Sequence, residues 1–98
     1  MIHLKVRAHV LVRGKVQGVF FRTETRREAL KRNVVGWVRN KSDGQVEAIF
    51  EGEKEDVDKM IDFCYKGTSN ARVTNVDLKW EDYRGELKNF KIRSTSIF

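Results

Sequence analysis

One cysteine, two histidines and no proline occur among the 98 residues, and no apolar run approaches the ~20 residues that a bilayer-spanning helix requires. Cys64 has no partner for an internal disulfide and fits a reducing compartment. It falls on the apolar stripe of a predicted helix, where it reads as a buried structural thiol. The amino-terminal Met1-Ile2-His3-Leu4-Lys5 alternates apolar with polar residues and lacks the hydrophobic region of a signal peptide, so a cytoplasmic protein is expected. His3 and His9 stand apart from any Cys or carboxylate cluster; they read as surface positions, and no metal site is expected. Neither Gly-Lys-Ser nor Gly-Lys-Thr follows the glycines at 14 and 18, which removes the hydroxyl that a nucleotide-binding loop uses for magnesium and disfavours ATP.

Charge is what the chain has in abundance. Charged residues make up 35% of it with a net charge of +6, and 40% hydrophobic residues suffice for one modest core, so residues 1–98 are expected to form a single domain. A positive balance suits a nucleic acid or a small phosphorylated anion, and alone favours neither. The densest cluster, Arg22, Arg26, Arg27, Lys31 and Arg32, lies on one predicted helix and reads as a solvated face, Arg22 excepted.

Leu4, Val6, Ala8, Val10 and Val12 alternate with Lys5, Arg7, His9, Leu11 and Arg13, the period of two that marks a half-buried strand. Phe21 to Asn33 reads as a helix with Phe21, Thr25, Ala29 and Leu30 at helical spacing. Val34 to Asn40 and Gln45 to Gly52 are β-rich runs joined by Lys41-Ser42-Asp43-Gly44, and an Asp-Gly pair there predicts a hairpin. Val57, Met60, Ile61 and Cys64 fall at i, i+3, i+4 and i+7 of a second helix, with Glu53, Glu55 and Asp56 at its start and Lys66-Gly67 at its end. Arg72 to Tyr83 forms a long alternating strand, and Phe90 and Ile92 mark a last one. The order predicts an α+β, ferredoxin-like sandwich, βαββαβ plus a C-terminal strand, with two helices covering one face of an antiparallel sheet. Trp37 and Trp80 then read as core or sheet-face residues.

Two segments carry chemistry. Gly14-Lys15-Val16-Gln17-Gly18-Val19-Phe20-Phe21-Arg22 joins the first strand to the first helix. A glycine-bearing turn can aim successive backbone N–H groups inward, and the helix start adds unpaired donors, so an anion could be held by main chain with Arg22 as a planar, bidentate cation. Gly36-Trp37-Val38-Arg39-Asn40 precedes the Asp-Gly turn. Asn40 is neutral and cannot act as a general base, but its amide can direct a water molecule. On spacing alone Asn40 reads as a turn-flanking residue and Arg22 as a surface helix residue; they become informative together with the loop.

Together these segments resemble the signatures of the acylphosphatase family. Asn89-Phe90-Lys91-Ile92 matches its closing strand, so the resemblance covers essentially the whole chain. It implies hydrolysis of carboxyl-phosphate anhydrides to a carboxylate and inorganic phosphate, with no metal and no cofactor. By similarity, the backbone amides of Lys15, Val16, Gln17, Gly18 and Val19 cradle the phosphoryl oxygens, Arg22 binds and polarises them, and Asn40 orients the attacking water. Phosphoryl transfer needs placement and electrostatic support more than covalent help, so the lack of a histidine or carboxylate in the signature is compatible with catalysis. The implied partner is a small acyl phosphate, with inorganic phosphate as product and inhibitor; a monomer free of membranes is expected. Lys15 stands where the family usually has Arg, and Phe20 occupies a varying position that could alter acyl-group preference. Gly67-Thr68-Ser69-Asn70-Ala71-Arg72-Val73 matches a family segment without its usual proline, which predicts a looser loop.

A ferredoxin-like nucleic-acid-binding module is the rival from another class. It would need aromatics on its central strands, and the run from Gln45 to Glu51 offers Phe50 alone, flanked by Glu47 and Glu51, so nucleic acid is not expected as a partner. A regulatory domain lacking hydrolase activity is the other alternative, against which completion at residue 98 points to a free-standing enzyme.

Overall fold

The computed structural model describes residues 4–97. Its elements are β1 (Lys5–Lys15), α1 (Phe21–Lys31), β2 (Val35–Asn40), β3 (Val46–Glu53), α2 (Lys54–Lys66), β4 (Arg72–Glu81) and β5 (Phe90–Ile92). They build a five-stranded sheet in the order β4-β1-β3-β2-β5, packed by both helices in a ferredoxin-like α+β arrangement. Alternation selects the helix-facing side: Ala8, Val10 and Val12 of β1, Val38 of β2, and Val46, Ala48 and Phe50 of β3 are buried against Phe21 and Ala29 of α1 and Val57, Met60 and Cys64 of α2. Burying each larger apolar side chain contributes roughly 1.5–3 kcal/mol. The second helix has the predicted stripe, and the Gly67 N–H closes it on the Phe63 carbonyl at 2.7 Å.

Four expectations are corrected. The sheet is mixed, because β5 pairs parallel with β2 through Gly36↔Phe90, Trp37↔Lys91 and Val38↔Ile92. Strands β4 and β5 lie on opposite edges, so residues 82–89 traverse the sheet and enter β5 from the end where β2 begins. For the same reason β4 stops at Glu81, short of Tyr83. Helix α1 ends at Lys31 and Leu30 is 50% exposed; the buried stripe is Phe21, Thr25 and Ala29, with the Thr25 hydroxyl donating to the Phe21 carbonyl at 2.7 Å.

Glu51, which alternation places on a polar face, is fully buried. It accepts from Arg7 Nη1 at 3.2 Å and from the Arg84 amide of the crossing segment at 2.9 Å. Phe50 points the other way and stacks on Phe90 at 5.9 Å between centroids, so it offers no platform to a base. His9 is part-buried, with Nε2 2.7 Å from Glu47 Oε2; His3 lies outside the described residues. Trp37 and Trp80 are sheet-face residues, Trp37 under the guanidinium groups of Arg39 and Arg93 at 4.8 and 4.7 Å. Gly36 allows a close approach, since a Cβ there would lie 1.8 Å from the Ile49 carbonyl oxygen.

Candidate active site

The site begins where β1 leaves the sheet. The register of β1 against β4 shifts between Arg13 and Gly14, and Gly14 has φ 123° with room for no side chain: a Cβ would lie 2.1 Å from the Arg72 carbonyl oxygen. Beyond this irregularity Val16 and Val19 plunge into the core while Gly18 between them stays exposed. Two buried anchors thus hold up a short arch of backbone. Among the described residues, no protein acceptor takes the N–H groups of Gln17, Gly18, Val19 or Phe20. Nothing lies within 4 Å of where a Gly18 Cβ would be, so the arch is open to a ligand. Unpaired donors in succession, followed by the start of α1, form an anion-binding concavity.

Arg22 sits in the first turn of α1 and, with Val16, Gly18, Phe20, Phe21 and Thr23, lines a cavity of about 310 Å³. A cation there opposes the helix dipole. Among the described residues it has no ion-pair partner, whereas other basic residues of the helix are paired: Arg27 with Glu24, and Lys31 and Arg32 with Glu28. Its charge therefore remains available to a ligand.

Asn40 closes β2 at the same end of the sheet. Its register partner is Val46, which pairs in turn with Val12 near the end of β1. Alternation with Gly36 and Val38 sets its side chain on the helix-covered face, the face from which α1 descends. Its Oδ1 is buried and receives no donor from the described residues. A buried amide oxygen without a donor costs about 1–3 kcal/mol and calls for a partner that can donate. The Asn40 carbonyl is held by the Ser96 amide at 2.9 Å.

Two contacts escaped the sequence reading. Gln17 enters that reading through its backbone amide, yet its side-chain Nε2 donates to the carbonyls of Lys41 at 2.8 Å and Gln45 at 2.9 Å. It pins the arch to the hairpin turn beside Asn40. A long polar residue inside a glycine loop is the signal that could have suggested this. Thr68 Oγ1 donates to the Val19 carbonyl at 2.7 Å, and the Ala71 amide to the Thr68 carbonyl at 3.0 Å. These two hydrogen bonds fasten the proline-free segment to the arch and to itself.

Lys15 closes β1, paired with Arg72, at the foot of the arch. Among the described residues, no group of three His, Cys, Asp or Glu is placed to hold a metal ion, and no helix is long and apolar enough to cross a membrane. Burial pushes the Cys64 thiol up to about 12, which keeps it protonated and inert in the core.

The family model described as Acylphosphatase matches residues 8–92. An acylphosphatase of Pelotomaculum thermopropionicum is 53% identical over 90% of this chain and 96% of its own. Another, of Pyrobaculum aerophilum, is 50% identical over 91% and 95%. Among solved structures, the acylphosphatase from Bacillus subtilis superposes with a TM-score of 0.86 at 31% identity, covering 90% of this chain and 98% of that one.

Proposed function

Because this chain belongs to the acylphosphatase family and is an enzyme that hydrolyses acyl phosphates, we propose that it does so without a metal, by the division of labour its site suggests. The backbone amides of Lys15, Val16, Gln17, Gly18 and Val19 hold the phosphoryl oxygens; Arg22 binds the same group and offsets the charge that spreads over it in the transition state. Asn40 Oδ1 accepts a hydrogen bond from water and fixes its direction towards phosphorus. The water oxygen bonds to phosphorus as the bond from phosphorus to the acyl oxygen breaks, and the carboxylate leaves with both electrons. The water's proton passes to a phosphoryl oxygen of the substrate, so no side chain acts as base.

The observation that carries this reading is the buried Oδ1 of Asn40, without a donor among the described residues, at the sheet end where the arch opens. An asparagine serving only the hairpin turn would use that oxygen on the turn's own N–H groups, a task Asp43 performs for the Gln45 amide at 3.1 Å. We place the enzyme in the cytoplasm as a monomer, with inorganic phosphate as product and competitive inhibitor. The test is hydrolysis of benzoyl phosphate in the presence of a chelator. Turnover well above the uncatalysed rate is expected, and none from folded protein would sink the proposal.

A further inference from the structure

A second cavity, of about 330 Å³, opens beside the arch, and Phe20 is a wall of both. Its other walls include Val19, Glu24, Phe63, Thr68 and Asn70. We propose that this groove receives the acyl half of the substrate and selects uncharged apolar acyl groups, aromatic ones above all; the proposal rests on the phosphoryl group occupying the arch.

Three observations converge on it. Phe20 is 74% exposed, yet it stands in the left-handed region, φ 61° and ψ 20°, a conformation unfavourable for a bulky residue. That backbone geometry sends the Phe20 side chain out from the loop, and it lines both cavities, where an acyl group extending from a phosphoryl group in the arch would cover it. The groove's far wall is also held in place: Thr68 spends its hydroxyl proton on the Val19 carbonyl, and Phe63 packs on Phe21 at 6.0 Å between centroids. Finally, the one charged wall residue is Glu24, which Arg27 pairs at 3.0 Å, so an acyl group bearing its own carboxylate or phosphate meets a carboxylate and finds no cation among the groove's walls.

The experiment compares kcat/KM for benzoyl phosphate, acetyl phosphate and succinyl phosphate. Phe20→Ala should lower the benzoyl to acetyl ratio about tenfold, carried by KM, the scale expected when a pocket loses an apolar contact; Phe20→Leu should restore most of it. Glu24→Gln should raise the succinyl to benzoyl ratio severalfold, and it tests the groove even if the Phe20 variants fold poorly. Unmoved ratios in both Phe20→Ala and Glu24→Gln, with wild-type turnover intact, would overturn the acyl groove and leave the hydrolase reading standing. Absence of wild-type turnover on all three substrates would overturn both.

Discussion

The side chain of Gln17 donates a hydrogen bond to the backbone carbonyl of Lys41, the residue that follows Asn40, at 2.8 Å. One amide thereby connects the segments of the two proposed catalytic residues, Arg22 and Asn40, 18 residues apart by number, through the loop that precedes the first and the turn that follows the second. The arch cannot move relative to the hairpin without breaking this bond or its companion to Gln45.

Replacing Gln17 should therefore disturb chemistry and stability together. Gln17→Ala takes one of two donors from each carbonyl, leaving that of Lys41 with the Gly44 amide and that of Gln45 with the Lys41 amide, and the loss of both bonds should cost about 1–2 kcal/mol by urea unfolding. Gln17→Glu, equal in size, puts a carboxylate against two carbonyl oxygens and beside the phosphoryl site, and should raise KM further than the alanine change. Equal KM in the two variants would show that the side chain acts only as a spacer.

Arg22→Ala and Asn40→Ala should each lower kcat about a hundredfold or more, the scale of losing one transition-state donor. They should separate in their response to product. The arginine change removes the cation proposed to bind phosphate and should weaken competitive inhibition by inorganic phosphate, while the asparagine change should leave it largely intact. Parallel loss of inhibition in both would contradict the roles assigned.

The buried pair Arg7 and Glu51 offers a test of the fold apart from the site. Arg7→Met strands a fully buried carboxylate and should cost about 3–5 kcal/mol, whereas the double change Arg7→Met with Glu51→Met should recover most of that loss. Urea midpoints of the three proteins measure it. A double variant no better than the single one would mean that Arg7 matters through its contact with Glu81.

Glu47 should make stability depend on acid. Burial alone would raise its pKa, but hydrogen bonding with His9 and from Arg39, both at 2.7 Å, outweighs burial and holds it below the ordinary value of 4.5. The unfolded chain then binds the proton more readily than the folded one, so the stabilisation is present above 4.5 and is lost as pH falls through the folded value. Between about pH 6 and about pH 3 the wild type should lose stability more steeply than Glu47→Gln. Parallel curves would remove Glu47 from the account.

Local signals carried most of the architecture. The alternation in β1 is legible because one face is buried throughout, and the second helix because Val57, Met60, Ile61 and Cys64 all face the core. The direction of β5 was not legible: three residues, Phe90 to Ile92, carry no period that names a partner or an orientation. The burial of Glu51 was not legible, since a charged residue at a polar position of a strand looks solvated until a segment more than thirty residues later, at Arg84, is known to cross it. The arch and Arg22 could be read from glycine spacing and the helix start. The braces supplied by Gln17 and Thr68 could not, because each bond depends on where a distant carbonyl comes to rest.

Gly14 and Gly36 head the two segments that carry the family resemblance, yet each answers to sheet geometry: one clears the Arg72 carbonyl, the other the Ile49 carbonyl. Neither role involves phosphate. A gene descended from this one could lose Arg22 or Asn40, and with them the proposed chemistry, and still keep both glycines under selection for folding. In such domains the glycines would trace ancestry, and under the roles proposed for Arg22 and Asn40 it is positions 22 and 40 that would tell working hydrolases from retired ones.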